Sequence, residues 1–122
     1  MSYFKSFQIN NKYHAIKTTF NGKKYDSKKE ATWAMYYEQL LKNKEIKSVE
    51  SQVTYELWGE NKKKKIKYRA DFVITHNDNI IEIIDVKSKA TVTPVFRLKW
   101  NLMEDKFYYE IKRGEVKLTI QY

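Results

Sequence analysis

The chain has 122 residues, a length that fits one domain around a single hydrophobic core. Hydrophobic residues make up 42% and aromatic residues 16%, which excludes an intrinsically disordered chain. It contains no cysteine, which excludes disulfides and cysteine-bound zinc, and no apolar run approaches the ~20 residues that span a bilayer. The first residues lack an apolar secretion signal. We therefore expect a single domain over residues 1–122, in the cytoplasm (the host cytoplasm if the chain is phage-encoded) and away from membranes.

The balance of charge indicates a polyanionic partner. Lysine and arginine number 24 against 15 acidic residues, for a net charge of +9. An excess of this size attracts nucleic acid through release of its counterions. A lysine-rich surface that only maintains solubility is the alternative, and charge alone favours nucleic acid modestly. An anionic membrane is the weakest option, because no basic helix with a continuous apolar face is evident.

A hairpin is the first predicted element. The β-prone stretches 15–20 and 23–25 flank Asn21-Gly22, a pair that tolerates the positive φ values of a tight turn. We expect residues 1–26 to form an N-terminal arm and hairpin, in which residues 2–16 offer an arm for dimer or DNA contact.

A helix is predicted next. Ser27 is a good N-cap, and Glu30 three residues later completes a capping box, so the helix begins here and ends near Asn43. Its apolar stripe comprises Ala31, Trp33, Ala34, Tyr37, Leu40 and Leu41.

The rest of the chain alternates between strands and one helix. The predicted strands are Ser48–Trp58, Ile66–Thr75, Ile80–Lys87 and Glu115–Tyr122. Thr93-Pro94 is typical of an N-cap followed by proline at the first helical position, and that helix runs to about Lys106. Its apolar positions are Val95, Leu98, Leu102 and Phe107. The order of elements predicts a mixed α/β domain.

The second and third of these strands carry two acids and a lysine. Because strand side chains alternate between faces, Asp85 and Lys87 share one face. If the turn consists of residues 77–79, Val73 lies opposite Ile83 and Asp71 lies opposite Asp85, with Cβ atoms about 4.5–5.5 Å apart. Two carboxylates at that distance repel each other unless a cation such as Mg²⁺ lies between them. A turn with an even number of residues would remove this match.

Such an arrangement suits phosphodiester hydrolysis. A metal held by two carboxylates lowers the pKa of a bound water and polarises a phosphate. Lys87 can orient or help to deprotonate that water and can offset charge in the transition state. The alternative is a solvated strand face with a cross-strand salt bridge, which is the more frequent origin of an isolated Asp-x-Lys. Ile80-Ile81 and Ile83-Ile84 favour a central strand, in which buried acids are costly without a partner.

At this point the chain resembles a known group. The segments 68–72 (Tyr-Arg-Ala-Asp-Phe) and 82–87 (Glu-Ile-Ile-Asp-Val-Lys) resemble the PD-(D/E)xK nuclease superfamily, in which an Asp on one strand pairs with an Asp/Glu-x-Lys on the next. Residues 25–31 are similar to the helix start of small phage-type Holliday junction resolvase-like endonucleases. The resemblance covers roughly residues 12–107. Ala70 replaces the proline and Ser88 replaces a frequent glycine, and neither change removes a reacting group.

The resemblance implies a restriction-endonuclease-like fold, with a mixed central β-sheet flanked by helices. It also implies a Mg²⁺-dependent DNA endonuclease, with Mn²⁺ as a plausible substitute, that acts on branched DNA as a homodimer. Asp71 and Asp85 would bind the metal, and Lys87 would activate water. Glu30 would be a third carboxylate, although its role as a helix cap remains an equal alternative.

Several polar residues are candidates for DNA contact. The resemblance implies that a basic residue on the second predicted helix, Arg97 or Lys99, contacts the scissile strand and that Gln52 lies near the site. The lysine run that includes Lys62, Lys63 and Lys64 is a candidate for a phosphate contact because of its charge. Solvated surface positions are the alternative for each of them. At the level of function, three alternatives stay open: a non-catalytic DNA-binding protein on a nuclease fold, a restriction- or transposition-type nuclease, and an RNA-directed nuclease.

Overall fold

The structure is a computed structural model that describes the backbone of residues 8–12, 15–58 and 65–122. Side chains are described for residues 19–57, 65–88 and 90–122. The candidate DNA-contact residues Lys62, Lys63 and Lys64 therefore lie outside the described residues. The chain divides into two compact units, Met1–Glu45 and Ile46–Tyr122, which are treated separately below.

The first unit contains a three-stranded antiparallel sheet and one helix. Its strands are β1 (Gln8–Lys12), β2 (Ala15–Phe20) and β3 (Lys23–Tyr25), in that order in the sheet. Asn21 and Gly22 have φ values of 50° and 76°, which confirms the predicted tight turn between β2 and β3. The strand β1 was not predicted, because its sequence QINNK lacks the alternation of apolar and polar residues.

Helix α1 (Lys28–Lys42) follows the hairpin and begins where its N-cap predicts. Ser27 Oγ accepts a hydrogen bond from the Glu30 N–H at 3.0 Å, and Asn43 is the C-cap. The stripe is confirmed at its centre, since the buried hydrophobic residues of the helix are Ala31, Ala34 and Tyr37.

The second unit contains a four-stranded mixed sheet in the order β4-β5-β6-β7. Its strands are β4 (Ser48–Trp58), β5 (Lys65–Thr75), β6 (Ile81–Val86) and β7 (Val116–Gln121). The pairs β4–β5 and β5–β6 are antiparallel, whereas β7 runs parallel to β6. The four predicted strands are thus confirmed within two residues at each end, and β6 lies inside the sheet as its apolar sequence predicts.

The turn between β5 and β6 contains three residues, as predicted. The His76 N–H donates to the Ile80 carbonyl at 2.9 Å, and Asn79 closes the turn with a φ of 69°. Val73 consequently pairs with Ile83, and the predicted register of this hairpin is confirmed.

Two helices, α2 (Pro94–Lys106) and α3 (Tyr108–Lys112), connect β6 to β7, preceded by a short 3-10 helix at Lys89–Thr91. Thr93 Oγ1 accepts from the Phe96 N–H at 3.1 Å, which confirms the predicted N-cap of α2. The predicted apolar face was wrong at Val95 and Leu98, which are 62% and 56% exposed. The buried residues of α2 are instead Phe96, Trp100 and Met103. They lie one turn apart, and the two large rings among them bury more apolar area than Val95 and Leu98 would.

These buried residues of α2 form the core of the second unit against the sheet. The cluster comprises Leu57, Tyr68, Ala70, Ile83, Phe96, Trp100, Met103 and Val116. Since Ile83 and Asp85 are two residues apart on β6, the acid lies on the sheet face that carries this core. Within the described ranges, no helix is long and apolar enough to cross a membrane.

Candidate active site

Asp85 and Lys87 lie at the end of the central strand β6. The Asp85 side chain is 4% exposed, and the Lys87 side chain is 18% exposed. Lys87 Nζ lies 3.0 Å from Asp85 Oδ1. The ion pair compensates the charge of an otherwise costly buried acid. The predicted proximity of this acid and amine is therefore present in the structure.

Tyr68 contacts the other oxygen of the same carboxylate. Its hydroxyl donates to Asp85 Oδ2 at 2.5 Å. Burial, followed by the charge of Asp85, raises the pKa of Tyr68, so the phenol stays protonated and acts as a donor. The sequence analysis assigned no role to Tyr68, because the residue is three positions from Asp71 and regular alternation would place it on the opposite face.

Asp71 reaches the same region from β5. The pairing of β5 with β6 runs from Thr75 opposite Ile81 to Phe72 opposite Ile84. One step further, Asp71 Oδ2 accepts a hydrogen bond from the Val86 N–H at 2.6 Å. The carboxylate of Asp71 thus bonds to the backbone of the residue between Asp85 and Lys87. The strand pairing ends at Phe72 opposite Ile84, so the position of Asp71 directly opposite Asp85 stays a prediction.

The electrostatics of Asp71 reflect this crowded setting. Burial is the main cause that raises the pKa of Asp71 to about 6, and the charge of Asp85 raises it further. The pKa of Asp71 is lowered by the hydrogen bond from Val86 and by the positive charges of Lys87 and Arg69. Asp71 therefore interacts with the Asp85 charge, and a cation between the two carboxylates would relieve their repulsion.

Gln52 lies on the strand at the other side of Asp71. Its neighbours Ser51 and Val53 pair with Phe72 and Ala70, so Gln52 is opposite Asp71 in the register. Its φ of 56° is left-handed, a conformation that costs a non-glycine residue on the order of 1–3 kcal/mol. A strained residue inside an 11-residue strand, beside a buried acid, is typical of a functional site.

Two aromatic rings of α2 form a wall beside these polar groups. Lys87 Nζ lies 4.3 Å from the centroid of the Phe96 ring, within the range of a cation–π contact. The Trp100 ring packs edge-on against Tyr68, with centroids 5.9 Å apart. The wall shields one side of the Lys87–Asp85 pair from water, which strengthens their interaction.

The donor set fits a hard divalent cation. Asp85 Oδ1 is buried and, within the described part of the chain, receives no hydrogen bond, although Lys87 Nζ lies near it. This oxygen keeps lone pairs for a metal, and Mg²⁺ needs only one or two protein carboxylates together with water. Among the described residues no three His, Cys, Asp or Glu side chains converge on one point, so Asp71 and Asp85 would be the protein ligands that this unit offers.

The positions of Glu30, Arg97 and Lys99 are described by the unit to which each belongs. Glu30 belongs to the first unit, where it is 4% exposed at the start of α1, and its role as a third carboxylate stays a prediction. Arg97 is exposed on α2 and lines a cavity of about 300 Å³ together with Phe96 and Trp100. Lys99 is half-buried on the same helix.

Comparison with known proteins places the chain in a family. A family model described as "Protein of unknown function (DUF1064)" matches residues 10–122. No curated protein and no solved structure matches the chain. The family match includes both of the strands that carry Asp71, Asp85 and Lys87 as well as helix α1 with Glu30. Because the match covers most of its length, the chain belongs to the DUF1064 family.

Proposed function

We propose that this protein is a metal-dependent DNA endonuclease of the PD-(D/E)xK type, with a restriction-endonuclease-like fold. The observation that carries the proposal is the pair Asp71 and Asp85 on adjacent strands, with the Lys87 amine 3.0 Å from one of their oxygens. The mixed sheet with helices supports the fold assignment at a coarse level.

Each group in the site has a role in phosphodiester hydrolysis. Asp71 and Asp85 would hold Mg²⁺ or Mn²⁺, which would supply Lewis-acid chemistry and a bound water of lowered pKa. Tyr68 fixes the orientation of Asp85 through Oδ2 and leaves Oδ1 for the cation. The Lys87 ammonium, 3.0 Å from the same carboxylate, would orient the attacking water and offset charge on the phosphate.

The charge of the protein supports a DNA substrate, and a branched substrate in turn implies a dimer. The net charge of +9 favours the DNA backbone. Contacts to that backbone come from Gln52, Arg97, Lys99, Lys62, Lys63 and Lys64. A branched substrate such as a four-way junction needs two cuts related by a two-fold axis, so the active form is a homodimer.

A cleavage assay tests the proposal directly. Purified protein is incubated with a labelled four-way junction, the matching linear duplex and a single strand, with Mg²⁺, with Mn²⁺ and with EDTA. The expected result is metal-dependent cleavage that prefers the junction and disappears in Asp85→Asn. Asp105→Asn, an exposed acid on α2, is the matched control and should retain cleavage.

The alternatives correspond to distinct results of the same assay. Salt-dependent DNA binding without cleavage in any metal would establish a non-catalytic DNA-binding protein. Cleavage of an RNA version of the junction alone would establish an RNA-directed nuclease. Sequence-dependent cuts in linear duplex would indicate a restriction- or transposition-type enzyme. Undiminished cleavage by Asp85→Asn would overturn the site assignment.

A further inference from the structure

A cavity lies beside Phe96 in the second unit. It has a volume of about 300 Å³, and its walls include Phe96, Arg97, Trp100, Asn101, Ile120 and Tyr122. Two of these residues connect it to the acidic pair. Ile120 lies beside Asp85 in the parallel register of β6 and β7, and the Phe96 ring that lines the cavity also contacts Lys87 Nζ.

The chemistry of the cavity matches a heterocyclic base. Three of its lining residues are aromatic: Phe96 and Trp100 are 7% and 8% exposed, and Tyr122 is 58% exposed, so Tyr122 is the ring on which a ligand can stack. Asn101 offers both a hydrogen-bond donor and an acceptor, the combination that reads base edges. Arg97 supplies a cation for the adjacent phosphate, and the described lining contains no acidic side chain that would repel it.

The size of the cavity sets what can enter. A volume of about 300 Å³ is large enough for a single base. A base that is stacked and paired in a regular duplex must first leave the helix, and this step costs least where the base is already unpaired.

We propose that this cavity is a subsite for one unpaired nucleobase of DNA, next to the phosphate held at Asp71, Asp85 and Lys87. This inference rests on the proposed nuclease function and deepens it, because it predicts a preference for DNA with an unpaired nucleotide beside the cleaved bond. Bulges and flaps present such a nucleotide, whereas a continuous duplex does not.

The test is a binding experiment without metal, which separates it from cleavage. The full chain is titrated in EDTA with three fluorescent duplexes: one perfectly paired, one with a single bulged 2-aminopurine nucleotide, and one with a bulged abasic nucleotide. Because stacking of one base on aromatic rings strengthens binding by roughly tenfold, the wild type should bind the 2-aminopurine bulge about tenfold more tightly than the abasic bulge. The fluorescence of the 2-aminopurine should fall on binding, because the base enters the cavity and stacks on an aromatic ring.

Variants then locate the effect. Tyr122→Ala and Asn101→Ala should bring the affinities for the two bulged duplexes within about twofold of each other. Lys106→Ala, which removes an exposed cation at the end of α2, should weaken binding to all three duplexes equally. Thermal unfolding followed by circular dichroism checks that each variant is folded, and Tyr122→Phe, which keeps the ring, should retain the preference.

The outcomes distinguish this inference from the proposed function. Equal affinity of the wild type for the two bulged duplexes would overturn the subsite, even if the protein cleaves DNA with Mg²⁺. A tenfold preference that survives in both Tyr122→Ala and Asn101→Ala would also overturn it, because the base would then bind elsewhere. A preference that these variants abolish supports the subsite even if the cleavage assay fails and the nuclease proposal falls.

Discussion

Gln52 lies directly opposite Asp71 across the β4–β5 pair, and its backbone has a positive φ of 56°. The regular alternation of β5 is interrupted at the same place. Ala70 and Val73 are three residues apart, yet both pack against the core under α2, and regular alternation would put them on opposite faces. The strained residue therefore coincides with the point at which β5 brings both Tyr68 and Asp71 to Asp85.

The strain at Gln52 predicts that the glycine variant is more stable than the valine variant there, which is the reverse of the order at a regular strand position. At a regular exposed strand position such as Thr54, valine stabilises more than glycine. At Gln52 we expect Gln52→Gly to be more stable than Gln52→Val by about 1–2 kcal/mol, because only glycine adopts the left-handed region without strain. Urea denaturation of the four variants measures the difference, and the same order at both positions would show that Gln52 is unstrained.

The raised pKa of Asp71 predicts that replacing this residue stabilises the protein by an amount that depends on pH. Because its pKa in the folded protein is raised to about 6 from 3.8, the folded state binds the proton more tightly than the unfolded chain. This tighter binding of the proton stabilises the folded protein in full below the unfolded pKa of 3.8, and the stabilisation is lost as the pH rises through about 6. In EDTA at pH 7.5, the unfolding free energy of Asp71→Asn should exceed that of the wild type by about 2 kcal/mol, a value reduced to allow for partial screening of Asp71 by solvent. At pH 4 the two proteins should have almost the same unfolding free energy.

The control for this experiment is Asp105→Asn, which removes an exposed acid on α2. Its stability relative to the wild type should change little between the two pH values. A gain for Asp71→Asn that is as large at pH 4 as at pH 7.5 would contradict the electrostatic cause and would indicate better packing instead.

Metal binding should be visible in the absence of any substrate. A cation bound only to the folded state at 100 times its dissociation constant stabilises by about 2.7 kcal/mol, so Mg²⁺ should raise the Tm of the wild type by roughly 8 °C. The shift should vanish in Asp71→Asn and in Asp85→Asn. It should persist in Asp78→Asn, an exposed turn residue, and differential scanning fluorimetry at pH 7.5 measures all four proteins. An unchanged shift in Asp85→Asn would place the metal elsewhere.

The Lys87–Asp85 ion pair predicts that the effects of substituting the two residues on the free energy of unfolding are not additive. Lys87→Met should destabilise the fold by about 3 kcal/mol, because it leaves the buried Asp85 charge without compensation. The double variant Asp85→Asn/Lys87→Met removes that charge and should recover about 2 kcal/mol of the loss. Activity should not recover with it, so cleavage should stay reduced roughly a hundredfold or more in every variant. Additive destabilisation in the double variant would mean that the two groups do not interact.

Features with local causes were predictable from the sequence. The helix starts at Ser27 and Thr93 depend on a side chain that bonds to a backbone N–H three residues away, and both caps are present. The register of the β5–β6 hairpin depends on a three-residue turn closed by Asn79, and it followed from the turn residues alone.

Features with distant causes were not predictable. The face of α2 was wrong at Val95 and Leu98, because apolar residues occur around that helix and only packing against the sheet selects Phe96 and Trp100. The contact of Tyr68 with Asp85 depends on the interrupted alternation of β5, which no residue of β5 itself signals. Gln52 was noted only as a possible DNA contact, since its backbone conformation is a tertiary property.

The parallel pairing of β7 with β6 extends past the acidic pair. The backbone N–H of Lys87 donates to the carbonyl of Gln121 at 2.8 Å, so the segment that carries the reactive amine is tethered by the last strand of the sheet. Preparations trimmed by a protease after Thr119 would lose this anchor while keeping every acid of the site. A sample of this kind would read as inactive in a cleavage assay, and intact mass should therefore be verified before any loss of activity is ascribed to a substitution.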